Sequence, residues 1–224
     1  MRFYFSARLR LGLALAGSSL VSISLFLTNA HTTHSWALAY MNWDLFLAWI
    51  PLLLSLWLAR ALGHKLWSSW QTLLITVLWL CFLPNSFYMI SDFIHIQDVS
   101  PMYVLSSTIM LSSFILNGIV LGYLSLFLIH QELLKRVSQR LAAALIGAVL
   151  VLCSFAIYLG RDLRWNSWDI VRDPSSVLVD IANHLANPLA RSDLLATTFG
   201  FSLLLGSLYV VLWYIARNLR QLKT

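Results

Sequence analysis

Long apolar runs separated by short polar connections recur from one end of the chain to the other, and only the connection between about 161 and 193 is extended. A helix needs about 20 predominantly apolar residues to cross roughly 30 Å of hydrocarbon. Six segments meet that requirement, near 10–28, 43–62, 70–91, 102–130, 141–160 and 194–216. The pattern predicts an all-α, polytopic transmembrane bundle of six helices, forming one integral membrane domain over residues 1–224. Within the long connection, Asp173 before Pro174 supplies a capping acceptor and a proline for a first helical turn. Val177, Leu178, Ile181, Leu185 and Leu189 then recur at helical spacing, with Asp180, Asn183, His184 and Asn187 opposite them. A short amphipathic helix near 174–187, lying on the outer surface, is therefore expected.

The first segment follows Arg8 and Arg10 and ends at Thr28-Asn29-Ala30, the outline of a signal peptide with a poor cleavage site. Its apolar core from Leu11 to Leu27 is long for such a signal, so an uncleaved first helix is expected.

Composition agrees with the pattern. The 224 residues are 59% hydrophobic and 11% charged, with a mean hydropathy of +0.77, where a soluble domain carries about 25% charged residues. Cys81 and Cys153 both sit inside apolar runs and read as small core hydrophobes. The net charge of +6 is dispersed around the ends of the apolar segments and forms no basic patch, which excludes nucleic acid as the partner it serves.

The distribution of charge orients the bundle. Arg2, Arg8, Arg10, Arg60, Lys65, Lys135, Arg136, Arg140, Arg217, Arg220 and Lys223 fall on one side, and only Arg161, Arg164, Arg172 and Arg191 on the other. By the positive-inside rule both termini are cytoplasmic and the protein is a multi-pass component of the cell membrane. Of the acidic residues, Glu132 alone is inside; Asp44, Asp92, Asp98, Asp162, Asp169, Asp173, Asp180 and Asp193 are outside, joined by His31, His34, His95 and His184. The groups capable of acid–base or binding chemistry thus concentrate on the outer face.

Two features are expected to serve packing and anchoring. Small residues at four-residue spacing, most plainly Gly118 and Gly122, let helices approach closely. Trp36, Trp43, Trp67, Trp70, Trp165 and Trp168 fall at the expected membrane interfaces, where aromatic belts form.

Residues 83–95 depart from the rule that lipid-embedded segments are apolar. At 100° per residue, Asn85, Tyr88, Asp92 and His95 share an arc of about 80° climbing to the outer boundary. Pro84 withholds a backbone N–H and crowds the carbonyl of Leu80, so a kink is expected there, with the Asn85 amide suited to the freed backbone groups. A second polar cluster, Gly160 to Asp169, places Arg161, Arg164, Trp165 and Trp168 on one helical face at the same side of the membrane. Those arginines would pair with Asp92 and clamp the bundle, or would hold an anion. His31-x-x-His34 and Asp92-x-x-His95 are weak candidates for a divalent metal.

Asn42 to Pro51, Pro84 to His95, Gly118 with Gly122, and Gly160 to Asp169 together resemble the polytopic membrane family catalogued as domain of unknown function 1361. Phe87 stands where that family usually has a second proline, and Pro101-Met102-Tyr103-Val104 lacks an acidic residue expected near 104. The resemblance implies a prokaryotic membrane protein and supplies no activity.

Three functional classes remain open. A binding or accessory membrane component would use the outer cluster to grip a lipid headgroup or anionic ligand. A small transporter would exploit the Pro84–Asn85 break, with Asn117 as the other polar residue near mid-depth. A membrane enzyme acting on an outer-leaflet lipid-linked substrate would use Asp92 or His95 as general base and an arginine to stabilise an anion. No nucleotide or phosphate-loop motif is present and no cofactor is expected. Partners are membrane lipids and other membrane subunits.

Overall fold

A computed structural model describes residues 2–162 and 192–221, together with Arg172, Asp173, Ser175 and Val179. The amphipathic helix expected near 174–187 falls, apart from Ser175 and Val179, outside the described residues, as do Arg164, Trp165 and Trp168. The described chain is all-helical: α1 (Arg2–Thr33), α2 (Tyr40–Ala61), α3 (Trp70–Tyr88), a 3₁₀ helix (Met89–Asp98), a short 3₁₀ turn (Pro101–Tyr103), α4 (Val104–Leu134), α5 (Gln139–Asp162) and α6 (Ser192–Gln221). Six of its helical segments are long and apolar enough to span a membrane. α1, α5 and α6 begin and end beyond their apolar windows, α2 begins before its own and α4 runs on past its own, because polar residues at the interfaces extend the hydrogen-bonded ladder without needing to be lipid-soluble.

α4 is the centre of the bundle. It packs against α1, α2, α3, α5 and the long 3₁₀ helix, whereas α6 leans on α5 and α1 on α4. Of its most apolar window 56% is buried, against 17% for the windows of α1 and α6. Gly118 and Gly122 make this possible. A Cβ on Gly118 would lie 2.6 Å from the Ser86 carbonyl oxygen, and one on Gly122 would lie 2.8 Å from the Phe87 ring. The expected small-residue contact is therefore an internal one between α3 and α4. Phe87, at the position of the expected second proline, is fully buried there and packs on Tyr123.

Polar bonds hold the helices in register where the hydrophobic effect cannot, since lipid is as apolar as the core. Trp79 Nε1 donates to Ser125 Oγ at 2.7 Å, and that hydroxyl donates to the Pro51 carbonyl at 2.9 Å, linking α3, α4 and α2. Ser86 Oγ donates to the Ala48 carbonyl at 3.2 Å, beside the turn that Pro51 weakens. Asn117 Nδ2 donates to Ser22 Oγ at 2.9 Å and to the Ser113 carbonyl at 2.9 Å, and Asn29 Nδ2 to Ser107 Oγ at 3.0 Å. These bonds fasten α1 to α4 at two depths.

Pro84 does not break α3. The helix stays in α form through it to Tyr88, and the change of pitch comes at Met89. Asn85 Nδ2 donates to the Phe82 carbonyl at 3.2 Å, the kind of backbone support expected of it.

Candidate functional site

The α1–α2 connection, the long 3₁₀ helix and the start of α4 meet at one end of the bundle. The 3₁₀ helix decides which side chains meet there. With 3.0 residues per turn, side chains three apart eclipse one another. Met89, Asp92, His95 and Asp98 therefore form a single row, not an arc shared with Asn85. Solvent exposure climbs along it: Met89 is fully buried, Asp92 is 4% exposed, and the side chains of His95 and Asp98 are 43% and 80% exposed. Ten residues of 3₁₀ helix are unusual, since runs beyond three or four are uncommon and often mark functional or strained segments. Ser91 supports the change of pitch by donating its hydroxyl to the Tyr88 carbonyl at 2.7 Å, a local bond of the kind that competes with the α-helical ladder.

Asp92 is the unusual member of the row. Its Oδ2 is buried and has no hydrogen-bond partner. No ion pair to Asp92 is present among the described residues. The groups that act on it electrostatically are Asp44, Tyr40 and Tyr88, from the start of α2 and the end of α3. Arg161, at the end of α5, is exposed and lies close enough to act on Tyr88, but it makes no ion pair with Asp92. Of the expected partnership between the two polar clusters, Arg161 and Tyr88 are the described members that approach each other.

A cavity of about 320 Å³ opens beside the exposed half of the row. Asn29, Thr33, Tyr40, His95, Asp98 and Tyr103 are among its walls, drawn from α1, α2, the 3₁₀ helix and the turn before α4. Tyr40 meets the His95 ring edge-to-face with centroids 5.7 Å apart, and His95 Nδ1 lies 3.4 Å from Asp98 Oδ2. Two tyrosines, an imidazole and the Asp98 carboxylate among its walls give it the means to accept hydrogen bonds and to exchange protons.

Sequence reasoning named Asn85, Tyr88, Asp92 and His95 but not Tyr40, Asp44 or Asp98 as their neighbours. Asp98 continues the three-residue spacing of Asp92 and His95, a signal visible only if 3₁₀ pitch is considered. Asp44 lies in the Asn42–Pro51 stretch already singled out. His31 and His34 are exposed with ring centroids 6.3 Å apart. Among the described residues no group of three or more His, Cys, Asp or Glu side chains is arranged to hold a metal ion.

The family model described as "Protein of unknown function (DUF1361)" matches residues 43–212, and the chain belongs to that family. The match begins at Trp43, one residue before Asp44, and takes in the whole of the 3₁₀ row. No curated protein and no solved structure matches the chain.

Proposed function

We propose that this member of the DUF1361 family is a binding or accessory component of the cell membrane, with both termini cytoplasmic, that recognises a lipid headgroup at its outer face. The observation that carries this reading is Asp92. A charged or hydrogen-bonding group removed from water without a partner costs several kcal/mol, roughly, so such groups inside membrane proteins are retained where they serve a ligand, an ion or a proton. Asp92 stands at the foot of a row whose upper members, His95 and Asp98, line an open cavity. The cavity lies at the membrane boundary, where a headgroup is within reach and a soluble ligand would also have access.

Transport draws less support. Asn117 donates its amide to Ser22 and Ser113, which makes it a tether between α1 and α4. An enzymatic role would need an electrophile-stabilising group facing Asp92 or His95; among the described residues Arg161 acts on Tyr88 and makes no ion pair with Asp92.

Mass spectrometry of lipids and small molecules carried by the purified protein tests the proposal. Wild type is expected to retain a ligand that Asp92→Asn loses and His95→Ala retains weakly. The same ligand set in all three proteins would leave Asp92 as a structural residue and remove the headgroup reading.

A further inference from the structure

The opposite end of the bundle contains a second cavity, of about 220 Å³, lined by Phe127, Gln131, Leu134, Gln139, Trp213 and Arg217. Its walls come from the last turns of α4, the first residue of α5 and the C-terminal part of α6. The two sides differ in character. Phe127, Leu134 and Trp213 form an apolar wall, and Arg217 and Gln139 stand at the polar rim.

The apolar wall is fixed from behind. Trp213 stacks on His130 with centroids 4.0 Å apart and planes inclined by 22°, and it also meets Phe127 at 5.4 Å. His130 is itself held by Tyr209, whose hydroxyl lies 2.8 Å from Nδ1. The cavity is thus bounded by side chains already locked into place, the preorganisation that lets a small site bind without a large ordering cost.

The rim is electropositive and uncompensated. Glu132, the acidic residue nearest in sequence, is engaged by Lys135 and Arg136. No acidic side chain among the described residues pairs with Arg217. Gln139 opens α5, whose first turn is capped by Ser138: its hydroxyl accepts from Leu141 N–H at 3.3 Å and its carbonyl from Ala142 N–H at 2.9 Å, so the charge at the rim is that of Arg217. An arginine fork suits a phosphate oxygen, and an apolar wall beside it suits what a phosphate is attached to in a lipid.

We propose that this pocket binds a phosphate group, supplied by the phosphodiester of a phospholipid whose glycerol and upper acyl carbons lie against Phe127, Leu134 and Trp213. It is separate from the Asp92 site and stands or falls without it. The pocket sits at the end of the bundle that carries most of the basic residues, where basic pockets between helices receive anionic headgroups.

The test uses the full chain. A phosphatidylglycerol bearing a photoreactive group high on one acyl chain is incubated with wild-type protein in nanodiscs, and the labelled peptides are mapped. Labelling concentrated in 127–139 or 213–217 is the expected result; labelling spread evenly over the lipid-facing helices would overturn the proposal. Native mass spectrometry then compares wild type with Arg217→Gln and Arg217→Lys. Retention of the lipid should fall about tenfold in the glutamine variant, the loss expected for one charge-assisted contact, and less in the lysine variant. Equal retention in all three would also overturn it. Thermal stabilisation of detergent-solubilised wild type by millimolar inorganic phosphate, with none from phosphatidylglycerol, would support the same phosphate chemistry from the soluble source. Stabilisation by neither would sink both.

Discussion

Asp92 and Glu132 are both carboxylates buried near opposite ends of the same bundle, 4% and 8% exposed, and they are treated in opposite ways. Glu132 is surrounded by cations: Lys135 pairs with one oxygen and Arg136 Nη1 donates to the other at 2.9 Å. Arg136 goes on to donate to the Leu62 carbonyl at 3.0 Å and lies over the Trp67 ring, so one acidic residue fastens α4 to the α2–α3 connection. Asp92 has a second carboxylate and two phenols for neighbours and an oxygen with no donor. The difference separates a carboxylate that closes a structure from one that leaves a bond to be made.

Removing the clamp should have the largest effect. Glu132→Ala leaves two cations without a counter-charge and frees Arg136 from the orientation that reaches Leu62, so thermal unfolding in detergent should show a loss of about 3 kcal/mol. High salt should narrow the gap between wild type and variant, because Lys135 is well exposed and its share of the pairing is screened. A loss below about 1 kcal/mol would show that the Glu132 network is no firmer than an ordinary surface pair.

A change that touches neither carboxylate can distort one end alone. Gly118→Ala puts a methyl group 2.6 Å from the Ser86 carbonyl oxygen and 2.8 Å from the Met89 sulfur. The backbone obstacle cannot rotate away, so α3 and α4 must separate, at a cost of about 2 kcal/mol. Met89 is the first residue of the 3₁₀ row, and the displacement should carry Asp92 with it while leaving Glu132 and Arg136 in place. Ligand retention should therefore fall together with the unfolding temperature. Loss of stability with full retention would mean that the Asp92 site does not depend on the α3–α4 contact.

The six spans were legible because hydrocarbon thickness and the absence of charge in the apolar windows leave few alternatives, and the Gly118–Gly122 contact because close approach demands small residues at one spacing. The candidate site was only half legible. Assuming α-helical pitch up to His95 grouped Asn85 with Asp92, but the pitch changes at Met89, and nothing in the apolar pattern records a change from 3.6 to 3.0 residues per turn. Pro84 marked a disturbance five residues before the place where the helix alters, since a proline weakens the turn behind it while the local bond from Ser91 to Tyr88 acts ahead. Tyr40 and Asp44 meet the row through tertiary packing, which no spacing within one segment reveals.

The sharpest test of the contrast has the smallest expected effect on stability. Asp92→Asn keeps the shape of the side chain and replaces a buried unpartnered oxygen beside Asp44 with a neutral amide that can donate. If Asp92 is held in place for a ligand, the ligand-free variant should unfold within about 1 kcal/mol of wild type, and on the stabilising side, because a desolvation cost is relieved and no internal bond is broken. The same variant should bind its headgroup poorly, so adding the lipid that co-purifies with wild type should raise the unfolding temperature of wild type by more than that of the variant. If instead Asp92→Asn loses as much stability as Glu132→Ala, the two carboxylates do the same work, and the row from Met89 to Asp98 is a second fastening of the bundle with no ligand of its own.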